Sequence, residues 1–267
     1  MDFSPKAGRS PACRASSRRT DANLSAWKKK AMAVVKLQFD SFLEEYPLLS
    51  GRVCGQQHQR LLRDFLRLIE FEWDHRPDLK FRAVEFSCGS IDPVSLDLPG
   101  RRIFVRGKMD RLDELDGRLF IRDFKSGKCH PREGDEAGPT PALDAQLAVY
   151  ALIMNSLHKK EPKLWPKVGG VSYFYPDPRG KMERHFIDDL DDLLEKGRDW
   201  LAAMADLIDG RQFPRTVNKD DCQYCAFVPV CGEQAKGEAG RKILKAGPAI
   251  KRFLTLVQEP EEEESEE

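Results

Sequence analysis

The sequence predicts an α/β protein, a β-sheet with helices packed on it, and three observations carry that prediction. Arg101 to Lys128, RRIFVRGKMDRLDELDGRLFIRDFKSGK, reads as two alternating strands joined at Asp116-Gly117. Ala142 to Leu157, ALDAQLAVYALIMNSL, reads as a helix that is apolar over much of its circumference, which calls for burial against a sheet. Val168 to Tyr175 and Lys181 to Ile187 then form a further strand pair around Asp177-Pro178-Arg179-Gly180.

The other elements follow in chain order. Residues 1–24 read as a disordered basic leader, with Lys6, Arg9, Arg14, Arg18 and Arg19 and no apolar core. Ser25 to Tyr46 is expected to be a helix, with Trp27, Met32, Val35, Leu37, Phe39, Phe42 and Leu43 at near-helical spacing and Pro47 ending it. A second helix is expected from about Gly55 to Trp73, where His58 shares a face with Leu62, Phe65 and Ile69. Leu79 to Ser87 alternates as a strand, with Phe81, Ala83 and Glu85 on one side and Arg82, Val84 and Phe86 on the other. Pro93 to Arg101 is expected to be a loop, and His130 to Pro141 a mobile connection. Asp189 to Asp209 reads as an amphipathic helix, and Lys242 to Val257 as a region closing the fold with a short helix. This divides the chain into a leader (1–24), a core (25–213), a cysteine-containing segment (214–257) and an acidic tail (258–267).

Composition narrows the class. Basic and acidic residues balance to a formal net charge of zero, but the balance hides a basic N-terminus and a tail that is almost all glutamate. No apolar stretch is long enough to cross a bilayer and the N-terminus lacks a secretory core, so a cytoplasmic protein without a membrane partner is expected. Seven cysteines, an odd number without regular spacing, do not form a disulfide framework.

Chemistry concentrates in the hairpin. A type I′ turn at Asp116-Gly117 places Leu115 opposite Arg118 and, counting back along the ladder, Asp110 opposite Asp123. Lys125 lies two residues beyond Asp123 and so projects from the same face. Facing aspartates repel each other unless something offsets the repulsion, and a divalent cation would do so. All-oxygen ligands suit Mg²⁺ or Mn²⁺. The reaction expected of such a cluster is metal-assisted phosphodiester hydrolysis, with Asp110 and Asp123 as metal ligands, the Phe124 carbonyl as an added ligand and Lys125 assisting water or neutralising phosphate charge. Gln146 and Tyr150, four apart, lie on one face of the following helix.

Gly107-Lys108-Met109-Asp110-Arg111-Leu112-Asp113, then Arg122-Asp123-Phe124-Lys125-Ser126-Gly127, then Gln146 to Tyr150 closely resembles the PD-(D/E)xK nucleases of the RecB/AddB type, whose motifs GxxDRxD, D-[YF]-K-[TS]-G and QxxxY stand here in order. The resemblance implies a central mixed sheet flanked by helices, a restriction-endonuclease-like core. It also implies Asp110 and Asp123 as metal ligands, Lys125 as the catalytic lysine, and Gln146 and Tyr150 supporting the site or the DNA. His58 is the best match to the family's helical His or Glu, and Glu85 to an acidic position on the preceding strand. Arg111 and Lys128, with Arg101, Arg106 and Lys125, would offer positive charge to a DNA backbone.

Cys222, Cys225 and Cys231 form a C-x2-C-x5-C pattern of soft thiolate ligands suited to zinc or an iron–sulfur cluster. By resemblance it looks like the [4Fe-4S] staple of AddB-type nucleases, in which a fourth cysteine lies upstream. Only Cys13 and Cys54 stand in plausible order for that role, neither in the family's usual context. The expected function is a Mg²⁺- or Mn²⁺-dependent DNA nuclease, an exonuclease on DNA ends or single strands, acting in repair as part of or with a helicase. The chain itself shows no P-loop. The alternatives are a catalytically inactive nuclease-fold module that binds DNA or protein, and a stand-alone CRISPR-adaptation nuclease.

Overall fold

The computed structural model describes residues 21–47, 50–75, 79–89, 91–129, 141–187, 189–214, 222, 225–231 and 247–257. Residues 130–140 of the expected mobile connection His130 to Pro141, most of the basic leader and the acidic tail lie outside these residues, and Pro141 itself begins a helix. The chain divides into two compact units: residues 1–79 with 176–182, and residues 80–175 with 183–267.

The first unit contains helices α1 (Asp21–Glu45) and α2 (Gly51–His75). Lys28 is ion-paired with Glu70, and the Phe39 ring packs 5.2 Å from that of His58. These contacts join the start of one helix to the end of the other, so the pair is antiparallel. The buried stripe of α1 is narrower than its apolar spacing suggests. Ala31 and Val35 are buried, whereas Trp27, Met32, Leu37 and Phe42 are about half exposed or more. A two-helix contact covers one strip of each helix, and apolar residues placed all round α1 cannot share it.

In the second unit, five strands form one mixed sheet in the order β1 (Lys80–Cys88), β4 (Gly107–Leu115), β5 (Arg118–Phe124), β6 (Val168–Tyr175), β7 (Glu183–Phe186). Only β5 and β6 are parallel. They are joined through α3 (Pro141–Lys160), because parallel neighbours need a long crossover. Leu147, Ala151 and Met154 of α3 are fully buried in one core with Leu112, Ile121 and Val171 of the sheet. Next, α4 (Leu190–Asp209) packs on α3 and on α6 (Pro248–Val257), while α5 is the short turn Val228–Cys231. The Asp189 carboxylate caps α4 by accepting the Asp192 N–H at 2.9 Å. The contact between α3 and α4 depends on Gly197, since a Cβ there would lie 2.7 Å from that of Ala148. This is the mixed sheet with helices packed on it that the sequence predicted.

The decisive turn forms as expected. Asp116 and Gly117 have φ of 50° and 71°, and the ladder pairs Leu115 with Arg118 and continues to Arg111 with Arg122. Three expectations need correction. Residues 93–101 are not a loop: β2 (Val94–Leu98) and β3 (Arg101–Val105) pair as a separate two-stranded sheet around Pro99-Gly100, where Gly100 takes φ of 73°. Arg101 to Val105 therefore does not extend the Asp116-Gly117 hairpin. The two-face alternation read for β1 breaks at a bulge between Phe81 and Ala83 and again at Glu85, whose φ is 50°. Finally, β7 starts at Glu183 because Lys181 and Met182 both take positive φ and belong to the turn. No helix among the described residues is long and apolar enough to cross a membrane.

Candidate active site

The site lies where β4 and β5 leave their regular ladder. One step past the Arg111–Arg122 pair, the Asp110 carboxylate accepts the backbone N–H of Phe124 at 2.7 Å, so a side chain bridges the strands there. Asp123, beside Phe124, is almost fully buried at 2% exposure. The Lys125 ammonium sits 2.7 Å from Asp123 Oδ2 as an ion pair. Lys125 also donates to Gln146 Oε1 at 2.7 Å.

α3 completes the network. Gln146 Nε2 donates to Asp123 Oδ1 at 3.1 Å and to the Tyr150 hydroxyl at 2.8 Å, and that hydroxyl donates onward to the Lys108 carbonyl at 2.6 Å. The directions are fixed by chemistry. A carboxylate only accepts and an ammonium only donates, so the Gln146 amide has one orientation that satisfies both neighbours. Tyr150 gives its single proton to Lys108 and accepts with its oxygen. The four-residue spacing of Gln146 and Tyr150 puts both on the helix face that meets the strand ends. Gly107 lets the helix approach: a Cβ there would lie 3.1 Å from Ile153 Cδ1 and 3.4 Å from the Tyr150 ring.

Burial governs the electrostatics. The Asp123 carboxyl is pushed above its ordinary value chiefly by burial, with Asp110 adding to the rise and Lys125 opposing it. Burial likewise raises the Tyr150 phenol, so it stays protonated near neutral pH. Sequence reasoning did not single out Tyr173, whose ring lies 5.0 Å beneath the Lys125 ammonium and whose own phenol is raised by burial. Tyr173 stands next to Asp123 in the parallel β5–β6 register, and pairing those strands across α3 would have found it.

The remaining candidates are placed as follows. Arg111 donates to the buried Asp113 at 2.9 Å, with Arg122 3.5 Å from the other Asp113 oxygen. Lys128 and Arg106 are exposed. Arg101 is tied to Asp206 and Asp209 of α4, and Glu85 is ion-paired with Lys108. His58 belongs to the helical unit, where its Nε2 is buried without a hydrogen-bond partner among the described residues. The Cys225 N–H bonds the Cys222 carbonyl at 3.3 Å, and that of Cys231 bonds the Phe227 carbonyl at 2.9 Å. Cys13 lies outside the described residues, and Cys54 is on α2.

Asp110 and Asp123 fit a Mg²⁺ or Mn²⁺ ion by donor type. Both are hard oxygen donors, and a buried carboxylate beside a second one is what a dication would neutralise. Two carboxylates suffice for an ion that retains several waters. Among the described residues no three His, Cys, Asp or Glu converge as a metal-holding group.

Residues 13–232 match the profile of the PD-(D/E)XK nuclease superfamily. The chain belongs to that superfamily. It is similar to an ATP-dependent helicase/deoxyribonuclease subunit of Symbiobacterium thermophilum, 39% identical over 117 residues that cover 37% of this chain and 10% of that protein. The corresponding helicase/deoxyribonuclease subunit of Moorella thermoacetica is 33% identical over 134 residues, covering 45% of this chain and 11% of its own length. The chain thus spans about a tenth of the length of these relatives. Among solved structures, that of SSO0001 aligns over 75% of this chain and 84% of its own at 14% identity with a TM-score of 0.35, too loose a likeness to bear on function.

Proposed function

We propose that this chain is a divalent-metal-dependent DNA nuclease acting as an exonuclease on DNA ends or single strands, in repair, with or as part of a helicase. The observation that carries the proposal is the continuous network of Asp110, Asp123, Lys125, Gln146 and Tyr150 at one end of the β4–β5 hairpin. Its PD-(D/E)XK membership and its similarity to helicase/deoxyribonuclease subunits support the reading. A cytoplasmic location accords with such a role.

Asp110 and Asp123, with the Phe124 carbonyl, would hold Mg²⁺ or Mn²⁺. The ion, when bound, supplies Lewis acidity that polarises the phosphoryl oxygen. Lys125, steered by Gln146 Oε1 and Asp123, presents its ammonium to a phosphate oxygen and offsets charge that grows in the transition state. Gln146 holds both Lys125 and Asp123 at their hydrogen-bonding distances, and Tyr150 fixes Gln146. Lys128, exposed just past β5, is proposed as a phosphate contact. Arg111, its guanidinium held by Asp113, is proposed as a further phosphate contact.

The test is cleavage of single- and double-stranded oligonucleotides in Mg²⁺ or Mn²⁺. Asp123→Ala and Lys125→Ala should each abolish turnover while leaving a folded protein; activity that survives either change removes this site from the reaction. We also propose that Cys222, Cys225 and Cys231, with an upstream fourth ligand for which Cys13 and Cys54 are this chain's candidates, bind a [4Fe-4S] cluster as a structural staple. Anaerobically purified protein should contain iron and sulfide in equal amounts, whereas a colourless, zinc-containing sample would replace that assignment with zinc.

A further inference from the structure

Helix α2 carries a feature that the nuclease network does not use. Arg52, Arg60, Arg63 and Arg67 are spaced by eight, three and four residues, so they line one strip of the helix, and all four are exposed. Between residues 51 and 67 they face a single acid, Asp64. Its distances to Arg60 and Arg63 are 3.8 and 3.9 Å, beyond hydrogen-bonding range, and both guanidinium side chains stay more than half exposed. Arg52 and Arg67 have no acidic partner among the described residues. The strip is about 22 Å long at 1.5 Å per residue, enough to follow several phosphates.

An arginine-rich helix face alone is common on solvated surfaces, and two glycines distinguish this one. Gly51 opens the helix and Gly55 sits inside it, where glycine is about 1 kcal/mol less favourable than alanine. Packing among the described residues does not require them, because a Cβ at either position would meet nothing within 4 Å. The contrast is Gly197 of α4, where a Cβ would strike Ala148. The glycines of α2 leave the helix backbone bare on the wall of an open groove of about 530 Å³, lined also by Arg52, Gln56, Arg60 and Arg63. Bare backbone flanked by guanidinium groups admits a chain of phosphates at close range.

We propose that this face of α2 is a binding track for a nucleic-acid phosphate backbone, separate from the carboxylate site in sequence and independent of metal. The inference rests on the reading of DNA as the substrate, and its test separates the two. Binding of the full chain to a fluorescein-labelled single-stranded oligonucleotide is measured by anisotropy in EDTA over a range of salt concentrations, so cleavage plays no part. Removing Arg60, Arg63 and Arg67 together to alanine should flatten the slope of log affinity against log salt by about 2, at about 0.7 per lost phosphate contact. Gly55→Ala should raise the melting temperature and yet weaken binding, a combination that a purely structural glycine would not give.

An unchanged slope in the triple variant overturns the proposal, as does undiminished affinity in Gly55→Ala. Arginine-dependent binding to polyglutamate in place of the oligonucleotide overturns it too, assigning the strip to an acidic protein. A wild-type chain that binds DNA through these arginines and never cuts it in Mg²⁺ or Mn²⁺ supports the track while refuting the nuclease reading. A chain that cuts DNA with the slope unaffected does the reverse.

Discussion

Tyr150→Phe separates a positioning role from direct participation in the reaction. Tyr150 is 8% exposed and its phenol makes two hydrogen bonds, donating to the Lys108 carbonyl at 2.6 Å and accepting from Gln146 Nε2 at 2.8 Å. Phenylalanine keeps the ring in place but deprives the Lys108 carbonyl and one Gln146 N–H of their partner. Net loss of such bonds, with a carbonyl left unpaired at a half-dry site, comes to about 2 kcal/mol. For a cooperative unit of this size the melting temperature should fall by roughly 4–8 °C. Gln146 still holds Asp123 and Lys125 in the variant. The transition state therefore loses only the precision of that hold, about 1.4 kcal/mol or a tenfold slower turnover. Because burial raises the Tyr150 phenol above its ordinary value, it keeps its proton through the working range and the alkaline limb of the rate profile should be unchanged. Melting by circular dichroism and cleavage of a labelled oligonucleotide across pH provide both readouts. A thousandfold loss of turnover at unchanged melting temperature, or disappearance of the alkaline limb, would refute the reasoning and place the phenol on the reacting atoms.

Three further outcomes are expected. Burial raises the folded-state Asp123 carboxyl, so the stability linked to it is present below the unfolded carboxylate range, near pH 4, and is lost as pH rises through the raised value. Metal-free Asp123→Asn should therefore gain stability over the parent as pH climbs toward neutral, and Mg²⁺ should raise the melting temperature of the parent alone. Gly117→Ala places a Cβ where it meets nothing within 4 Å, so its cost is the positive φ by itself, about 1 kcal/mol by denaturant titration. His58→Phe keeps a ring against Phe39 and removes a buried nitrogen that lacks a partner, so stability should hold. A fall in metal-dependent cleavage would then give His58 a part in the reaction, and unchanged cleavage would confine it to packing.

The hairpin was legible in the sequence because Asp116-Gly117 admits one kind of turn, and the turn sets the register of every pair that follows. Gln146 and Tyr150 were legible for a similar reason, since helical spacing determines which residues share a face. Longer-range pairing was not. Tyr173 reaches Lys125 only because β5 and β6 are parallel neighbours, a relation that no local pattern encodes. The β2–β3 hairpin was hidden by Pro93 and by Pro99-Gly100, which read as loop when the strands on either side are only five residues long. The narrow buried stripe of α1 depends on how much of the helix its neighbour covers, which composition does not reveal.

The two halves of the GxxDRxD segment have different tasks, and the structure shows why they adjoin. Asp110 faces the network and bridges to Phe124, whereas Arg111 and Asp113 lie one residue to either side of Leu112 and engage each other away from it. Asp113 is 1% exposed and Arg122 6% exposed, so their charges sit where an uncompensated charge would be costly. Arg111 and Arg122 face each other across the ladder, in the last regular pair before Asp110. Two guanidinium groups opposite each other would repel, and the Asp113 carboxylate between them offsets that repulsion. The charge cluster thus holds the strands in register up to the point where the carboxylate network begins. A one-residue slip of this ladder would turn Asp123 from Gln146 and separate it from Asp110, so the buried Asp113 protects the site without touching it.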